Sequence, residues 1–388
     1  MTWHEALDDW LIAVRAPRAG SRTLLKAIHH HGGMAAVRAA ARRRQSGLPE
    51  TAEQYLRHPD EALLASDRDW LSQPDHHLLT WGSEWYPSLL ADIAGPPCVL
   101  FVVGDPAVLW QPQVAIVGSR KASDYGIDNA RYFAGNLASR GVVITSGLAQ
   151  GIDSVAHQAA LAAGGRTVAV LGTGVDRVYP RQHVELARNI AANGALVSEL
   201  PLGSEALPGH FPARNRIISG LALGALVVEA GVGSGSLITA RLAAEQGREV
   251  MAVPGMISNR QARGCHQLIR DGARLVDSPV HIMEDLQPMA ARLAGHLHAA
   301  LATGDDSEPD AEVVAKGPAR TIDEVTEDPL QRQLLRALNQ RPQAIDEIVE
   351  CTDLTAEAVS SMLLVMELEG LVKCHPGGTW SRNQEIIQ

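Results

Sequence analysis

The chain has 388 residues, a formal net charge of −10, 46% hydrophobic residues and 20% charged residues. Its length suggests two or three domains, and its composition predicts a globular protein. The sequence has no apolar run near ~18 residues and no basic segment leading into a shorter one, so we expect neither a membrane span nor a secretory signal. Scattered cysteines predict reduced thiols in a cytoplasmic protein, without disulfides or a zinc site: Cys98, Cys265, Cys351 and Cys374.

The charge is unevenly distributed along the chain. Residues 111–286 contain 16 Lys and Arg against 14 Asp and Glu, a net of +2, so the remainder carries −12. An acidic chain with a nearly neutral middle can still focus positive potential in one cleft. The net charge therefore does not exclude a nucleic-acid ligand.

Residues 1–75 are predicted to form a small helical domain, because apolar residues recur at three- and four-residue spacing between glycine-containing breaks. The segment APRAGSRTLLKA resembles the hairpin of a helix-hairpin-helix, and a SAM-like domain is the related alternative. Only Gly20 lies in its turn. We therefore expect a packing or partner-binding module here rather than a DNA contact.

Residues 76–287 alternate short β-branched runs with helical patterns, which predicts an α/β domain with an extended Rossmann-like parallel sheet. The runs are continuous and apolar, as in strands covered on both faces, and nearly all end in Gly or Ser. Ligands of such sheets lie beyond the carboxyl ends of the strands. Tight turns alone would explain one such loop, but six predict a phosphate-bearing ligand. The runs are VLFVVGD, VAIVGSR, GVVITSGLAQG, TVAVLGTG, ALVSELPLG, ALVVEAGVGSGS and EVMAVPG.

Two loops in the first half of this domain are candidate phosphate sites. The loop Gly118-Ser119-Arg120-Lys121 follows a strand and opens a helix, but it is neither a P-loop nor a dinucleotide fingerprint. The loop containing Ser146, Gly147 and Gly151 leads to Asp153, which we expect to be a helix N-cap. His157, one turn later, is expected to be a hydrogen-bonded helix residue rather than a catalytic base.

Two further motifs lie in the second half. In Phe211-Pro212-Ala213-Arg214-Asn215-Arg216 the ring can stack on a base, the arginines can meet phosphates, and the amide can read a base edge. Alternatively, Phe211 is core and one arginine pairs with Glu199 or Glu229. We expect one arginine to be structural and one to reach the ligand. The segment Ser234-Gly235-Ser236 at a helix start predicts another anion nest.

Residues 288–325 are acidic and aperiodic, which predicts a linker. Residues 326–388 show three helical patterns and a hairpin around Pro-Gly-Gly, which predicts a winged helix. This domain has 5 Lys and Arg against 10 Asp and Glu, and the third helical pattern, TAEAVSSMLLVMELEG, has no basic residue. Recognition of a DNA groove needs basic donors. We therefore expect the winged-helix domain to dock a protein or to have a regulatory role.

The central motifs, from VAIVGSRKASDYG through FPARNRIISGL to GCHQLIRDGARLV, resemble the DNA-processing protein A (DprA, or Smf) family in order and spacing. The resemblance implies a dimeric single-stranded DNA-binding mediator that helps load the RecA recombinase in natural transformation. It implies DNA contacts by Arg120, Arg181, Arg214, Asn215 and Arg216. Phe211 and residues 234–236 would shape the pocket. A lysine that some relatives carry just before the FP motif is absent here, which puts part of the phosphate track in doubt.

The alternative from another class is a nucleotide-processing enzyme. Phosphoribohydrolases have a similar fold and a PGGxGTxxE segment, but Thr239 stands here where their glutamate would be. We therefore expect no catalysed reaction, no cofactor and no metal. Residues 264–276 read as a short helix, a glycine break and an edge strand, and an edge strand is usually covered. This predicts a homodimer; an edge capped by the linker in a monomer is the alternative.

Overall fold

The computed structural model of the chain describes residues 3–287, 289–290, 293, 320–321, 329–338, 343–352, 354–355, 359, 362–363, 366, 371–375, 379–382 and 386–387. It forms two compact units, Met1–Asp305 and Asp306–Gln388. Most of the predicted linker, residues 288–325, lies outside the described residues.

The N-terminal segment is helical, as predicted. Its helices are α1 (Trp3–Val14), α2 (Ser21–His31), α3 (Met34–Arg42), α4 (Glu50–Arg57) and α5 (Glu61–Leu71). Their apolar stripes meet in one cluster that continues into the sheet domain, so these helices and the sheet share a core. Arg15 links the two parts: it pairs with buried Asp67 at 2.6 Å and donates to the Leu202 carbonyl at 3.2 Å. The boundary at residue 75 stays a prediction.

A nine-stranded sheet forms the centre of the first unit, with strand order β1-β2-β6-β5-β4-β3-β7-β8-β9. Strands β3 to β9 run parallel, whereas β2 is antiparallel to both β1 and β6. The predicted Rossmann-like parallel sheet is therefore confirmed as the core of a mixed, mostly parallel sheet, whose β1 and β2 edge is antiparallel. The strands are β1 (His76–Thr80), β2 (Val99–Gly104), β3 (Gln113–Val117), β4 (Val143–Ser146), β5 (Thr167–Val170), β6 (Ala195–Ser198), β7 (Gly224–Val227), β8 (Glu249–Ala252) and β9 (Arg274–Leu275).

Helices cover both faces of this sheet. Successive side chains of β3 point to opposite faces: Val114 and Ile116 enter one core with Phe133, whereas Ala115 and Val117 enter the other. This double burial explains the continuous apolar runs. The covering helices are α6 (Ser88–Ala91), α7 (Asp124–Ala138), α8 (Ile152–Ala162), α9 (Val184–Asn193), α10 (His210–Leu221), α11 (Gly235–Glu245), α12 (Arg263–Arg270) and α13 (279–287), with 3-10 turns at Pro106–Trp110, Arg181–His183 and Arg260–Ala262.

The strand order reverses between β3 and β7. From β3 the chain proceeds through β4, β5 and β6 in one direction, and then through β7, β8 and β9 in the other. A reversal of this kind leaves a crevice at the carboxyl ends of the two strands, where α/β sheets bind ligands.

The second unit contains the predicted hairpin, with β12 (Val372–His375) antiparallel to β13 (Thr379–Arg382) and β11 (Gln343–Ala344) on the other side of β13. Two predicted helices are present as α14 (Pro329–Ala337) and α15 (Ile345–Cys351). Of the third, the described residues 359, 362–363 and 366 are helical. Strands β10 (Arg320–Thr321) and β14 (Ile386–Ile387) pair separately. Within the described residues, no helix has the length and apolarity needed to cross a membrane.

Candidate functional site

A cavity of about 780 Å³ opens at the carboxyl ends of β3 and β7, where the strand order reverses. It brings together loops that are far apart in the sequence: residues 118–121 after β3, residues 211, 212, 214 and 215 at the start of α10, and residues 231–236 after β7. Three of the four predicted motifs thus line one cavity. From the second motif, only Ala149 and Asp153 reach it.

The first loop presents two cations. Arg120 and Lys121 are exposed on the cavity wall, and neither pairs with a carboxylate within the described part of the chain. The backbone beneath them is fixed, because the Ser119 amide donates to the Glu229 carbonyl at 2.6 Å. The Lys121 amide donates to the Ser119 hydroxyl at 3.1 Å. Gly118 also lines the cavity. A rigid loop with two unpaired cations is suited to an anionic ligand.

Glu229, at the end of β7, holds this loop in place. Its carboxylate accepts from the Ser123 amide at 2.8 Å, the Ser123 hydroxyl at 2.7 Å and the Asn259 side-chain amide at 2.8 Å. Ser123 in turn caps α7. Since Glu229 is buried and hydrogen-bonded by these donors, it acts as a structural acceptor that ties the loops after β3, β7 and β8 together.

The glycines of the second motif make room for protein atoms rather than for a ligand. Gly151 has a φ of +80°, and a Cβ there would lie 2.2 Å from the Ser119 carbonyl oxygen. A Cβ at Gly147 would lie 2.3 Å from the Arg214 guanidinium. Ser146 is buried and donates to the Ile116 carbonyl at 2.6 Å. Ser146, Gly147 and Gly151 therefore allow the surrounding protein atoms to pack into place, and they do not line the cavity themselves.

Asp153 is not the N-cap that the sequence predicted. Helix α8 begins at Ile152 with Gly151 as its N-cap, and the Asp153 carboxylate reaches back to accept from the Gly147 amide at 3.1 Å and the Ala149 amide at 3.4 Å. Burial raises its pKa, an effect that the charge of Arg214 opposes. Asp153 therefore orders the second loop. Among the described residues that line the cavity, it is the one carboxylate.

Arg214 lies at the base of the cavity and is 5% exposed. Its guanidinium donates to the Gly147 carbonyl at 2.8 Å, to the Val170 carbonyl, and to Asn215 Oδ1 at 3.1 Å. Burial lowers its pKa to about 10, although the charge of Asp153 opposes this effect. The side chain is thus a structural cation that joins the ends of β4 and β5 to α10.

Arg216 points elsewhere. Its guanidinium forms a two-pronged pair with Glu199, both N–O distances being 2.6 Å, and Nε donates to the Gly95 carbonyl at 3.0 Å. It is not among the residues that line the cavity. The alternative in which one arginine pairs with Glu199 is therefore realised, and the predicted DNA contact of Arg216 remains only a prediction.

Two aromatic rings stand at the cavity wall. Phe211 packs over Gly172, and its ring centroid is 5.5 Å from that of Tyr179 at an interplanar angle of 47°. The Arg120 guanidinium carbon lies 5.9 Å from the Phe211 centroid. We did not predict Tyr179 as a site residue. Its signal was an aromatic residue after a strand end in a chain with 4% aromatics.

Arg181, two residues after Tyr179, is exposed on a short 3-10 turn but does not line the cavity. Asn215 does line it, and its amide nitrogen lies 3.5 Å from the Gly235 carbonyl. The predicted DNA contact of Arg181 therefore stays a prediction, and the structure places the neighbouring ring of Tyr179 at the cavity instead.

The glycine-serine loop after β7 provides amide donors. Ser234 caps α11 by accepting from the Ser236 amide at 3.4 Å, and the two hydroxyls are 2.8 Å apart. The amides of Val232, Gly233 and Gly235 donate no hydrogen bond to any residue within the described ranges. Gly233 has a φ of +82°. Such amides at the start of a helix form an anion nest.

Thr239 and His157, the two positions that bear on an enzymatic alternative, are both buried. Thr239, at the position of the enzyme-like glutamate, is buried at the cavity wall. His157 is fully buried, with Nδ1 2.6 Å from the Thr167 hydroxyl, and burial lowers its pKa to about 3. The described residues include no cluster of three or more His, Cys, Asp or Glu suited to a metal. The cavity offers cations, amides and rings, with Asp153 as an acid.

The sequence matches two family profiles. Residues 77–287 match the family described as DNA recombination-mediator protein A, and residues 318–378 match the DprA winged helix domain. The chain is 43% identical over 338 residues to Protein Smf of Escherichia coli, with 86% of this chain and 85% of that protein covered. It is 45% identical over 235 residues to the DNA processing protein DprA of Streptococcus pneumoniae, with 61% and 81% covered.

Solved structures agree with this assignment. The X-ray structure of DprA from S. pneumoniae superposes with a TM-score of 0.65 at 35% identity, covering 72% of this chain and 97% of that one. DprA from Helicobacter pylori, described in terms of its single-stranded DNA binding mode, superposes with a TM-score of 0.50 at 28% identity, covering 55% and 96%. The chain therefore belongs to the DNA recombination-mediator protein A family, with a Rossmann-like core and a C-terminal winged-helix domain.

Proposed function

We propose that the cavity between β3 and β7 binds single-stranded DNA and that the chain acts as a recombination mediator. The observation that carries the proposal is that one cavity is lined both by two cations and by free amide donors. Within the described residues, Arg120 and Lys121 pair with no carboxylate, and the amides of Val232, Gly233 and Gly235 donate no hydrogen bond. With Arg214 and Asp153 included, the lining has three cations against one carboxylate. Phosphate oxygens are the ligands that such a surface attracts.

The rings of Tyr179 and Phe211 favour a single strand over a duplex. Tyr179 is 51% exposed, so an unpaired base can stack on it, whereas a duplex keeps its bases stacked on each other. The Arg120 guanidinium lies over the Phe211 ring, so it is placed to contact a phosphate next to the stacked base. The related H. pylori protein, whose single-stranded DNA binding mode is described, supports the same role here.

Binding without catalysis is the accompanying proposal. Glu229 is held by three donors, and Glu199 is paired with Arg216. Asp153 accepts two backbone amides. These engagements argue against a nucleotide-cleaving enzyme, which needs an acid or base free to act at the sugar. Incubation with nucleoside monophosphates tests this directly, because release of free base would establish the enzyme instead.

The wider role extends the family assignment. We infer that the chain is a cytoplasmic homodimer, that it helps load RecA onto single strands during natural transformation, and that its acidic winged helix docks a protein. Residues 326–388 carry a net charge of −5, which supports a protein partner over DNA. The exposed edge strand β9, with Leu275 48% exposed, supports the homodimer.

Fluorescence anisotropy with a labelled oligothymidylate tests the DNA site. The matched variants are Arg120→Ala and Arg140→Ala. Arg140 is also exposed, but it precedes β4 and so lies at the amino ends of the strands, whereas the cavity lies at their carboxyl ends. We expect Arg120→Ala to weaken binding and Arg140→Ala to leave it unchanged. Equal effects of the two variants would contradict a site at the cavity.

A further inference from the structure

The N-terminal helices carry positive charge that the cavity does not use. Residues 10–49 contain eight Lys and Arg and no Asp or Glu. Arg15 pairs with Asp67 at 2.6 Å, and Arg38 pairs with Asp9 at the same distance. The remaining six cations are exposed and form no ion pair with a residue in the described ranges. We call them the N-terminal basic surface: Arg18, Arg22, Lys26, Arg42, Arg43 and Arg44.

The fold brings the cations of α2 and those at the end of α3 into one region. Arg22 and Lys26 are one turn apart on α2, on the face opposite the buried side chains of that helix. After α3 the chain returns to the end of α2, because the Ser46 carbonyl oxygen lies 3.2 Å from His31 Nε2. Residues 42–44 are two to four positions from this contact. The neighbouring carboxylate of Glu53 is already engaged, since it accepts from the Ser46 amide at 3.0 Å and the Ser46 hydroxyl at 2.7 Å.

The N-terminal basic surface is mounted on the half of the sheet away from β9. The core beneath it includes Phe101 of β2 and Leu196 of β6, whereas β9 is the last strand on the other side. The start of α2 is fixed to the sheet domain, because the Ser21 hydroxyl donates to the Glu199 carboxylate at 3.4 Å. None of the six cations lines the cavity between β3 and β7. The surface is therefore separate from both that cavity and the predicted dimer edge.

The side chains of this surface indicate which ligand it fits. Between residues 10 and 49 the structure describes no exposed large apolar side chain, although such side chains anchor most protein interfaces. Residues 11–49 also contain no Phe, Trp or Tyr on which an unpaired base could stack. Charge is the remaining attraction, and a duplex presents one phosphate per roughly 1.7 Å of its axis, twice the density of either strand alone. Double-stranded DNA is therefore the ligand that this surface fits best.

We propose that the N-terminal basic surface binds the backbone of double-stranded DNA, as a second nucleic-acid site apart from the single-strand cavity. Its guanidinium and ammonium groups neutralise phosphates without reading sequence, because they meet the backbone alone. The single glycine of the turn between α1 and α2 argued against a contact through hairpin amides, whereas this contact is made by side chains. The cavity adds amides and rings to its cations, so the duplex binds more weakly than the single strand. A chain with both sites can hold a single strand and a duplex at the same time.

The test measures the anisotropy of a labelled blunt duplex of about 20 base pairs, beside a labelled oligothymidylate, in about 50 mM salt. The variant Arg22→Gln/Lys26→Gln/Arg43→Gln removes three charges and keeps most of each side chain. Its matched control removes three exposed arginines on α7 and before β4 and β5, none of which lines the cavity: Arg131→Gln/Arg140→Gln/Arg166→Gln.

We expect the Arg22→Gln/Lys26→Gln/Arg43→Gln variant to bind the duplex at least about tenfold more weakly than the control does. Its slope of log K against log salt for the duplex should fall by about 2.7, at about 0.9 per lost phosphate contact. The same variant should bind the oligothymidylate like the control. Arg120→Ala should show the opposite pattern, with weaker binding of the oligothymidylate and unchanged binding of the duplex.

The duplex site and the single-strand cavity fail in different ways. If the Arg22→Gln/Lys26→Gln/Arg43→Gln variant binds the duplex like its control, or if wild type does not bind the duplex, the N-terminal site is refuted and the cavity stands. Equal losses for duplex and oligothymidylate in this variant would also refute a distinct duplex site. If Arg120→Ala binds the oligothymidylate like wild type, the proposed function fails, whatever the duplex result. Circular dichroism confirms that each variant is folded.

Discussion

Replacement of Arg214 by alanine tests whether this residue is structural. The side chain is 5% exposed, bonds the Gly147 and Val170 carbonyls, and is the charge that opposes buried Asp153. Its removal leaves an uncompensated buried carboxylate, two carbonyls without their donor, and the space of a large side chain. A buried acceptor that loses its donor costs about 1–3 kcal/mol, so the two carbonyls together predict that the free energy of unfolding falls by about 2–6 kcal/mol.

Urea denaturation followed by circular dichroism measures this loss. The matched control is Arg120→Ala, which removes an exposed guanidinium from the same cavity and should change stability by less than about 1 kcal/mol. In the double variant Arg214→Ala/Asp153→Asn, removal of the partner charge should recover about 1–3 kcal/mol of the expected sum. A loss below about 1 kcal/mol in Arg214→Ala, together with tenfold weaker DNA binding, would refute the structural role and make Arg214 a ligand contact.

Four further outcomes are expected. Arg120→Ala should weaken binding of an oligothymidylate by about 1–3 kcal/mol in anisotropy titrations without a change in melting temperature; wild-type affinity would contradict the phosphate contact. Tyr179→Ala should cost about 1–3 kcal/mol in the same assay through lost stacking, whereas exposed Tyr132→Ala, on α7, should cost nothing. Burial lowers the pKa of His157 to about 3. Between about pH 6.5 and 3 the His157 imidazole is therefore protonated in the unfolded chain but neutral in the folded chain. Stability should therefore drop by about 2–3 kcal/mol from this group between pH 7 and 4.5, and a His157→Gln variant should lose correspondingly less in denaturation at the two pH values. Deletion of residues 326–388 should leave oligothymidylate affinity within about tenfold, or about 1.4 kcal/mol; a larger loss in a folded truncation would assign the winged helix a DNA contact.

The sequence predicted the sheet domain well because its strands are buried on both faces and therefore carry an unbroken apolar signal. Strand β1 was missed for the opposite reason: His76–Thr80 is a half-buried edge strand with two histidines. The antiparallel direction of β2 could not be predicted, since a buried apolar run is the same in either direction.

The loops that gather at the cavity were predicted from their glycines, but the roles of single residues were not. Arg214 and Arg216 are two positions apart in one motif, yet Arg214 lies at the base of the cavity and Arg216 pairs with Glu199. Only the surroundings of each side chain in the folded protein distinguish these two roles. Likewise, positions 147 and 151 need glycine because a Cβ there would collide with the Arg214 guanidinium and the Ser119 carbonyl, respectively. These demands come from long-range packing, which local sequence does not encode.

The central claim is that the cavity holds single-stranded DNA through its phosphates, with Arg120 as a principal contact. The most direct measurement is a competition between single- and double-stranded oligonucleotides of the same sequence, for wild type and Arg120→Ala, across a salt series. We predict a preference for the single strand, an affinity that falls with salt, and a slope of log K against log salt that is smaller by about 0.7 in Arg120→Ala. Equal affinity for the duplex, or an affinity independent of salt, would contradict the claim.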